Sequence, residues 1–202
     1  MNLRSIIKIR WPKPDDKPLL IFIGDLGTNV LNDLYYNQKE ANYYLAISTD
    51  FAHLTNNVSI ADDLKIFIGD KTDNSCGKRD FDSGLEYVKQ NKRIIKRKIR
   101  KFRTSKIILV AGLRFSSASG VIAGTSQLLK KSSKEIYAVV STPFAAEGES
   151  AQINSTKALE ILYNNNVKLS IFSCEDLLQS NGGKLLIRDL DKAFEEMVRY
   201  AI

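Results

Sequence analysis

Val110-Ala-Gly-Leu-Arg-Phe-Ser-Ser-Ala-Ser-Gly120 stands between an apolar, β-branched run, Lys106–Ala111, and a segment with helical character, Val121–Lys130. A strand that enters a helix through small residues presents unpaired backbone N–H groups and the positive end of the helix dipole. The stretch therefore predicts a turn that faces an anion. Arg114 and Phe115 put large side chains where close approach of a phosphate normally requires glycine, so we expect that binding to be altered or lost.

Apolar runs and helical patterns alternate along the whole chain. The predicted strands are Pro18–Gly24, Tyr43–Ser48, Leu64–Gly69, Lys106–Ala111, Ile136–Ser141 and Val167–Phe172. The predicted helices are Thr28–Gln38, a basic segment near 89–106, Val121–Lys130, Ser150–Tyr163 and a last one from about Asp189. This alternation is typical of a parallel sheet covered on both faces. We therefore predict an α/β fold, a doubly wound, mostly parallel sheet whose ligand site lies at the carboxyl ends of the strands.

Length and composition limit the class of protein. The chain has 202 residues, of which 44% are apolar and 26% charged, so we expect one folded domain over 18–202 after a short lead-in, 1–17. No apolar run approaches the roughly 20 residues that span a bilayer, and the start lacks signal-peptide features, which favours a cytoplasmic protein. Cys76 and Cys174 lie far apart without zinc-type spacing, so reduced thiols and no metal site are expected. His53 has no nucleophile near it in sequence, and no catalytic residue is assigned.

One segment makes this protein basic. Residues 89–106 hold ten Lys or Arg and no acid, whereas the net charge of the whole chain is +7, so the remainder is slightly acidic. Val88, Ile95, Ile99 and Phe102 recur at helical spacing, which predicts an amphipathic helix with one buried stripe. Its outer face is either a solvated surface or a docking site for nucleic acid, anionic lipid or an acidic protein. The candidate contacts are Lys92, Lys96, Arg100 and Arg103.

Six loop motifs follow one another in a recognisable order. They are Ile23–Asn29, Leu45–Asp50, Val110–Gly120, Val139–Phe144 with Glu147-Gly148, Phe172–Leu178 and Asp191–Phe194. In this order they resemble the nucleotide loops of the FtsZ/tubulin superfamily, FtsZ more than tubulin, including the signature GGGTGTG and Pro-Phe-x-x-Glu-Gly. The resemblance covers nearly the whole chain. It implies the GTP-binding domain fold, ending in the central helix of that family.

The resemblance also implies which residues would remain at a nucleotide site. They are Gly24, Gly27, Asn29, Thr49, Asp50, Gly112, Ser116, Ser117, Ser119, Gly120, Glu147 and Phe194. Glu147 would orient a ribose hydroxyl, or else cap the helix that begins near Ser150. The three serines would donate hydroxyls to an anion, or else serve as ordinary helix N-caps.

Departures from the family pattern decide the expected function. Arg114 to Ser119 replace the signature glycines, Ala151 stands where the family has an arginine, and Cys174 stands where an asparagine reads guanine. At most weak GTP or GDP binding is therefore expected, without a resident cofactor. In the family, hydrolysis uses acidic residues on a loop after the central helix. The sequence ends at Ile202, within the matching helix, so we expect no GTPase activity and no second domain.

Three functions are compatible with these residues. The first is a degenerate FtsZ-like protein that binds a protein partner, as a scaffold or regulator in a cell-division or cytoskeletal filament system. The second is a nucleotide-binding switch or weak hydrolase with altered phosphate contacts. The third is a nucleic-acid or membrane-surface binder that uses the basic segment 89–106.

Overall fold

A computed structural model describes residues 17–38, 41–70, 80–114, 116–182, 184 and 187–202; the lead-in before Lys17 and Cys76 lie outside this part. The strands are β1 Leu19–Ile23, β2 Tyr43–Ser48, β3 Lys65–Phe67, β4 Lys106–Gly112, β5 Glu135–Thr142 and β6 Lys168–Ser173. The helices are α1 Gly24–Gln38, α2 Phe51–Asn56, α3 Phe81–Gln90, α4 Lys92–Arg100, α5 Ser116–Leu129, α6 Glu149–Asn164, α7 Cys174–Ser180 and α8 Ile187–Ala201.

The strands form one sheet in the order β3-β2-β1-β4-β5-β6, and every pairing is parallel. The central strands β1 and β4 are buried along their whole length, as the continuous apolar runs predicted. The predicted α/β, doubly wound fold is confirmed. All amino ends of the strands lie at one edge of the sheet, which we call the amino edge, and all carboxyl ends lie at the opposite carboxyl edge.

Two apolar cores cover the two faces of the sheet. Leu19, Ile21 and Ile23 of β1 point into the core formed with α3, α4, α5 and α6. Leu20 and Phe22 point into the second core, which α1 and α8 close. The side-chain period of two along a strand divides the residues of β1 between these cores. In the described part of the chain, no helix is both long and apolar enough to cross a bilayer.

The basic segment forms two helices, and the expectation of a single helix is wrong. Asn91 separates α3 from α4, and its side-chain amide donates to the backbone oxygens of Tyr87 (2.9 Å) and Ile68 (3.3 Å). An asparagine amide that competes for backbone oxygens favours a helix end. The predicted apolar stripe is nevertheless confirmed, because Val88, Ile95 and Ile99 are buried. The ring of Phe102 packs 5.3 Å from that of Tyr43.

Two helices begin earlier than their sequence patterns indicate. α1 starts at Gly24 rather than near Thr28, because Gly24 takes φ +69° and reverses the chain directly after β1. α5 starts at Ser116 rather than at Val121. The segments expected to be glycine-rich loops are therefore mostly first turns of helices. The short helices α2 and α7 have no apolar periodicity and were not predicted from the sequence. Their first turns are capped by the side chains of Asp50 and Ser173, respectively.

Candidate functional site

The candidate site lies at the carboxyl edge between β1 and β4. α1 leaves β1 towards one face of the sheet, whereas α5 leaves β4 towards the other. The two connections therefore diverge and open a crevice between them. In doubly wound sheets this divergence is where ligands bind.

A recess of ≈ 110 Å³ opens at this point. Its walls come from the ends of β1 and β2 and the first turns of α1 and α5: Ile23, Gly24, Asp25, Ile47, Ser48, Thr49, Asp50, Ser117, Ala118 and Val121. The structure thus brings together Gly24, Thr49, Asp50 and Ser117, which the sequence places in three separate segments. The recess is smaller than the roughly 300–1,000 Å³ of usual ligand pockets. The recess by itself has room for a phosphate-sized group.

Arg114 crosses the neighbouring part of the carboxyl edge. Its Nε lies 2.5 Å from Oε1 of Glu147, and its guanidinium carbon lies 5.1 Å from the ring centre of Phe144. The Arg114 and Glu147 side chains are only 21% and 22% exposed. An ion pair that is this shielded, and stacked on an aromatic ring, is held more firmly than a surface pair. We call Arg114, Phe144 and Glu147 the arginine bridge.

Beside the arginine bridge, Cys174 and Phe194 are buried and Asp191 is partly exposed. Cys174 is 0% exposed, and burial raises the pKa of its thiol to about 12, with Arg114 opposing and Glu147 adding to the shift. Burial also raises the pKa of the Asp191 carboxyl above its usual value, again opposed by Arg114. Phe194 is 0% exposed and packs 5.8 Å from the ring centre of Phe172. These positions offer no free surface on which a purine could stack.

Comparison with known proteins agrees with this architecture. No family model matches the chain. It is 26% identical over 180 residues to the cell division protein FtsZ of Haloferax mediterranei, and 24% identical over 192 residues to that of Aquifex aeolicus. These matches cover 89% and 91% of this chain but 46% and 49% of the relatives, so the chain spans about half of their length.

The solved structures extend this similarity. An empty FtsZ dimer from M. jannaschii superimposes with a TM-score of 0.79 at 24% identity, covering 91% of this chain and 53% of that one. The chain is an FtsZ/tubulin-superfamily domain. CetZ2 of Haloferax volcanii, solved as a GTPγS-bound protofilament, gives a TM-score of 0.72 at 21% identity and covers 90% of this chain and 55% of that one. Filament-forming proteins are therefore among its structural neighbours.

In this FtsZ/tubulin-superfamily domain, four glycines that match the family motifs are restricted by packing. A Cβ at Gly24 would lie 2.8 Å from Cβ of Ala118, and one at Gly27 would lie 2.8 Å from the backbone oxygen of Val110. A Cβ at Gly120 would overlap the backbone oxygen of Phe81, where α3 crosses α5. A Cβ at Gly112 would lie 2.6 Å from Cδ2 of Leu26, the end of a flexible side chain, so packing restricts this position less than the other three. Those three glycines thus have a structural reason to be present that involves no phosphate.

The other predicted residues are dispersed. Asn29 is exposed on α1 and does not line the recess. Ser119 is buried, and its hydroxyl donates to the backbone oxygen of Leu113 at 3.1 Å. Ser116 is the first residue of α5, and its side chain lies outside the described atoms. The alternative that Glu147 caps the next helix is wrong, because Gly148 is the N-cap of α6 and Glu147 pairs with Arg114 instead.

His53 has a structural partner that the sequence did not reveal. Its Nε2 lies 2.8 Å from Oγ1 of Thr28, a hydroxyl that also lies 3.0 Å from the backbone oxygens of Gly24 and Asp25. Because that hydroxyl donates to a backbone oxygen, the imidazole Nε2–H donates to the hydroxyl. Nδ1 then accepts from the Asn57 amide at 3.2 Å. This network fixes α2 on α1 beside the recess.

The cationic residues lie along α4, which runs from the carboxyl end of β3, where Asn91 donates to the backbone oxygen of Ile68, towards the amino edge. Lys98 of α4 donates to the backbone oxygen of Asp63, just before β3, and Phe102 packs on Tyr43, the first residue of β2. Lys92, Lys96, Arg100 and Arg103 are exposed there and take no part in the recess. Within the described residues, no group of three His, Cys, Asp or Glu side chains could hold a metal ion.

Proposed function

We propose that this FtsZ/tubulin-superfamily domain acts by binding a protein partner in a filament system, and that its carboxyl edge neither holds nor hydrolyses GTP. The arginine bridge carries the proposal, because the domain's own guanidinium and carboxylate meet where the loops after β4 and β5 converge. A nucleotide would have to separate this shielded pair and uncover Cys174 and Phe194. Separating this largely shielded pair removes a charged partner from each group, which costs free energy.

The similarity to filament proteins supports the first half of the proposal, the binding of a partner in a filament system. The relatives include cell division proteins, and CetZ2 is a protofilament in its solved form. A domain that keeps this fold without a working nucleotide site is suited to bind such a filament as a scaffold or regulator. In this proposal, neither GTP nor GDP is a permanently bound ligand of the protein.

A nucleotide-binding switch or weak hydrolase is the second candidate, and the recess favours it. Ser117 and Thr49 line a concavity beside the first turn of α5, where a phosphate would meet backbone N–H groups. The small volume limits this candidate to a phosphate-sized group, unless the arginine bridge opens.

Nucleotide content and affinity of the purified protein test the proposal. We expect no stoichiometric GDP or GTP in the denatured supernatant, measured by chromatography, and no heat of binding with micromolar GTP in calorimetry. Bound nucleotide after purification, or micromolar affinity, would overturn the proposal in favour of the switch.

Arg114→Ala tests whether the arginine bridge itself closes the site. We expect a measurable gain in GTP affinity for this variant relative to the wild type. Arg199→Ala is the matched control, since Arg199 pairs with Glu195 on α8 at 2.5 Å, within one helix. An equal affinity of both variants for GTP would show that the bridge is not the barrier.

Co-sedimentation tests the binding half. The protein is mixed with GTP-assembled filaments of an FtsZ relative and centrifuged, with unassembled FtsZ plus GDP as the control. We expect the protein in the pellet only when filaments are present. A protein that remains in the supernatant in both samples would refute a filament partner of this kind.

A further inference from the structure

α4 carries a dense positive charge on its exposed face. Seven exposed cations lie on α4 and just after it: Lys92, Arg93, Lys96, Arg97, Arg100, Lys101 and Arg103. We call them the α4 cationic surface. None of the seven forms a salt bridge with a described residue; the nearest ion pairs join Lys65 to Asp62 and Lys89 to Glu86. From residue 87 to residue 134 the sequence contains no Asp or Glu.

Much of this surface does not serve the stability of the helix. Lys92, Lys96 and Arg100 follow one another at spacings of four, so like charges are neighbours along one face of α4. Such pairs weaken a helix. What holds α4 in place is the burial of Ile95 and Ile99, together with the contact of Phe102 with Tyr43. Arg97, Lys98 and Arg100 lie in the last turn of α4, where cations interact favourably with the helix dipole, but Lys92, Arg93 and Lys96 in its first half do not contribute in this way.

The carboxyl edge of the domain is acidic. Acidic residues occupy the first turns of α1, α3, α6, α7 and α8, which begin at or near the carboxyl edge: Asp25, Asp82, Glu149, Glu175, Asp176 and Asp189. The amino edge also carries Asp62, Asp63 and Glu135, but Asp62 and Glu135 pair with Lys65 and Lys168. The α4 cationic surface itself contains no carboxylate, so an extended anionic surface would be attracted to α4 more than to the acidic carboxyl edge.

Ile94 distinguishes between the polyanions that could meet this surface. It lies on α4 between Arg93 and Lys96, and it is 40% exposed. An apolar side chain among cations gains free energy at the boundary between lipid headgroups and acyl chains, whereas phosphates of a nucleic acid give it no apolar contact. No aromatic residue lies between residues 92 and 101 to stack on bases.

From these observations we propose that the α4 cationic surface docks the domain on an anionic lipid bilayer, with Ile94 at the headgroup boundary. Clusters of four to eight Lys or Arg are the usual size of such lipid-binding surfaces. The proposal depends only on α4 and the residues just after it. It therefore stands or falls separately from the proposed function, which concerns the carboxyl edge.

Vesicle co-sedimentation of the intact protein tests the proposal. The vesicles contain equal parts of phosphatidylglycerol and phosphatidylcholine, and vesicles of phosphatidylcholine alone serve as the control. We expect binding to the anionic vesicles only, with a steep loss as salt rises above about 0.1 M, because the charges are then screened over less than about 10 Å. Failure to bind anionic vesicles at low salt would overturn the proposal.

Two triple variants of equal charge locate the surface. Lys92→Gln, Lys96→Gln and Arg100→Gln together should lower the vesicle partition coefficient on the order of a hundredfold, at about fivefold per cation. Lys157→Gln, Lys184→Gln and Lys192→Gln remove the same charge from other exposed positions and should change it less than about tenfold. Equal losses in both triple variants would overturn the proposal, because net charge alone would then explain binding.

Three further outcomes identify the occupant. Ile94→Gln should lower binding to anionic vesicles several-fold and leave retention on heparin unchanged, as a bilayer contact requires. Tighter binding to a DNA duplex than to anionic vesicles at the same salt would overturn the proposal in favour of nucleic acid. A second copy of the chain is the last alternative. If the sedimentation coefficient of the wild type rises with protein concentration at low salt, and that of the α4 triple variant does not, the proposal would be overturned in favour of self-association.

Discussion

Two charged regions of the domain differ in how their charges are satisfied. At the carboxyl edge, the charges of Arg114 and Glu147 are shielded and paired with each other. On the α4 cationic surface, seven cations are exposed, and none of them forms a salt bridge with a described residue. A charge that is paired within the domain gives little to a ligand, whereas an exposed and unpaired cation can bind an external anion. This difference underlies the two proposals: a carboxyl edge closed by its own ion pair, and a binding surface on α4.

A buried residue and its exposed neighbour on α4 give the largest expected effect. Ile99→Ala should lower the free energy of unfolding by roughly 2–5 kcal/mol, because it removes a fully packed side chain from the core. Lys96→Ala is the control and should change it by about 1 kcal/mol or less, since an exposed charge contributes little. Urea unfolding measures both. Similar losses for the two variants would mean that the α4 cations stabilise the fold and are not free for an external partner.

Two glycines at the carboxyl edge test whether packing or ligand chemistry requires them. Gly120→Ala should lower the free energy of unfolding by about 3 kcal/mol, because the added Cβ overlaps the backbone of α3, which cannot easily move. Gly112→Ala should cost about 1 kcal/mol, since its Cβ meets only the flexible Leu26 side chain. Thermal and urea unfolding compare them. If Gly120→Ala is as stable as the wild type, packing does not explain this glycine.

The arginine bridge should have a smaller but specific effect. Arg114→Ala should lower the free energy of unfolding by about 1–2 kcal/mol, because the Glu147 carboxylate loses a charged partner. Glu147→Gln should cost a similar amount, and the double variant should cost less than the sum, by about 1 kcal/mol. Strict additivity in this double-mutant cycle would show that the two charges do not stabilise each other.

Asp191 gives the smallest effect, and its sign depends on pH. Burial raises the pKa of this carboxyl above its usual value of 3.8, with Arg114 opposing and Asp33 adding to the shift. The folded state therefore keeps a proton that the unfolded state has lost, so this group's contribution to stability falls as pH rises from 3.8 through the folded pKa. Asp191→Asn should raise the free energy of unfolding at pH 7 by about a few tenths of a kcal/mol, because Asp191 is partly exposed. Urea unfolding of the wild type and Asp191→Asn at pH 3 and pH 7 measures this effect. If the difference in unfolding free energy between the two proteins is the same at both pH values, the raised pKa of Asp191 is not its cause.

Much of the fold was predictable because it depends on local patterns. Continuous apolar strands, helical spacing and the order of the loop motifs indicated the parallel sheet, its two covered faces and the superfamily. Helix starts were less predictable. α1 and α5 begin within segments that resemble glycine-rich loops, since Gly24 reverses the chain at once and small residues tolerate helical packing.

The candidate site was predictable in its position and only partly in its content. The carboxyl edge follows from the parallel topology, and Gly24, Thr49, Asp50 and Ser117 do line one recess. Arg114 was predicted to disturb phosphate binding, but its pairing with Glu147 joins residues 33 positions apart in sequence. A contact of this kind has no local signal, because it depends on how the loops after β4 and β5 converge.

By itself the sequence determined the alternation of strands and helices, the apolar stripe of α4 and the concentration of positive charge in one segment. Only the tertiary structure decided which charges are satisfied. Arg114 and Glu147, distant in sequence, meet at the carboxyl edge and form an ion pair, while the seven exposed cations of the α4 cationic surface form no salt bridge with a described residue. The physical reason is that hydrophobic periodicity acts over a few neighbouring residues, whereas the pairing of a charge depends on every segment that the fold brings within reach.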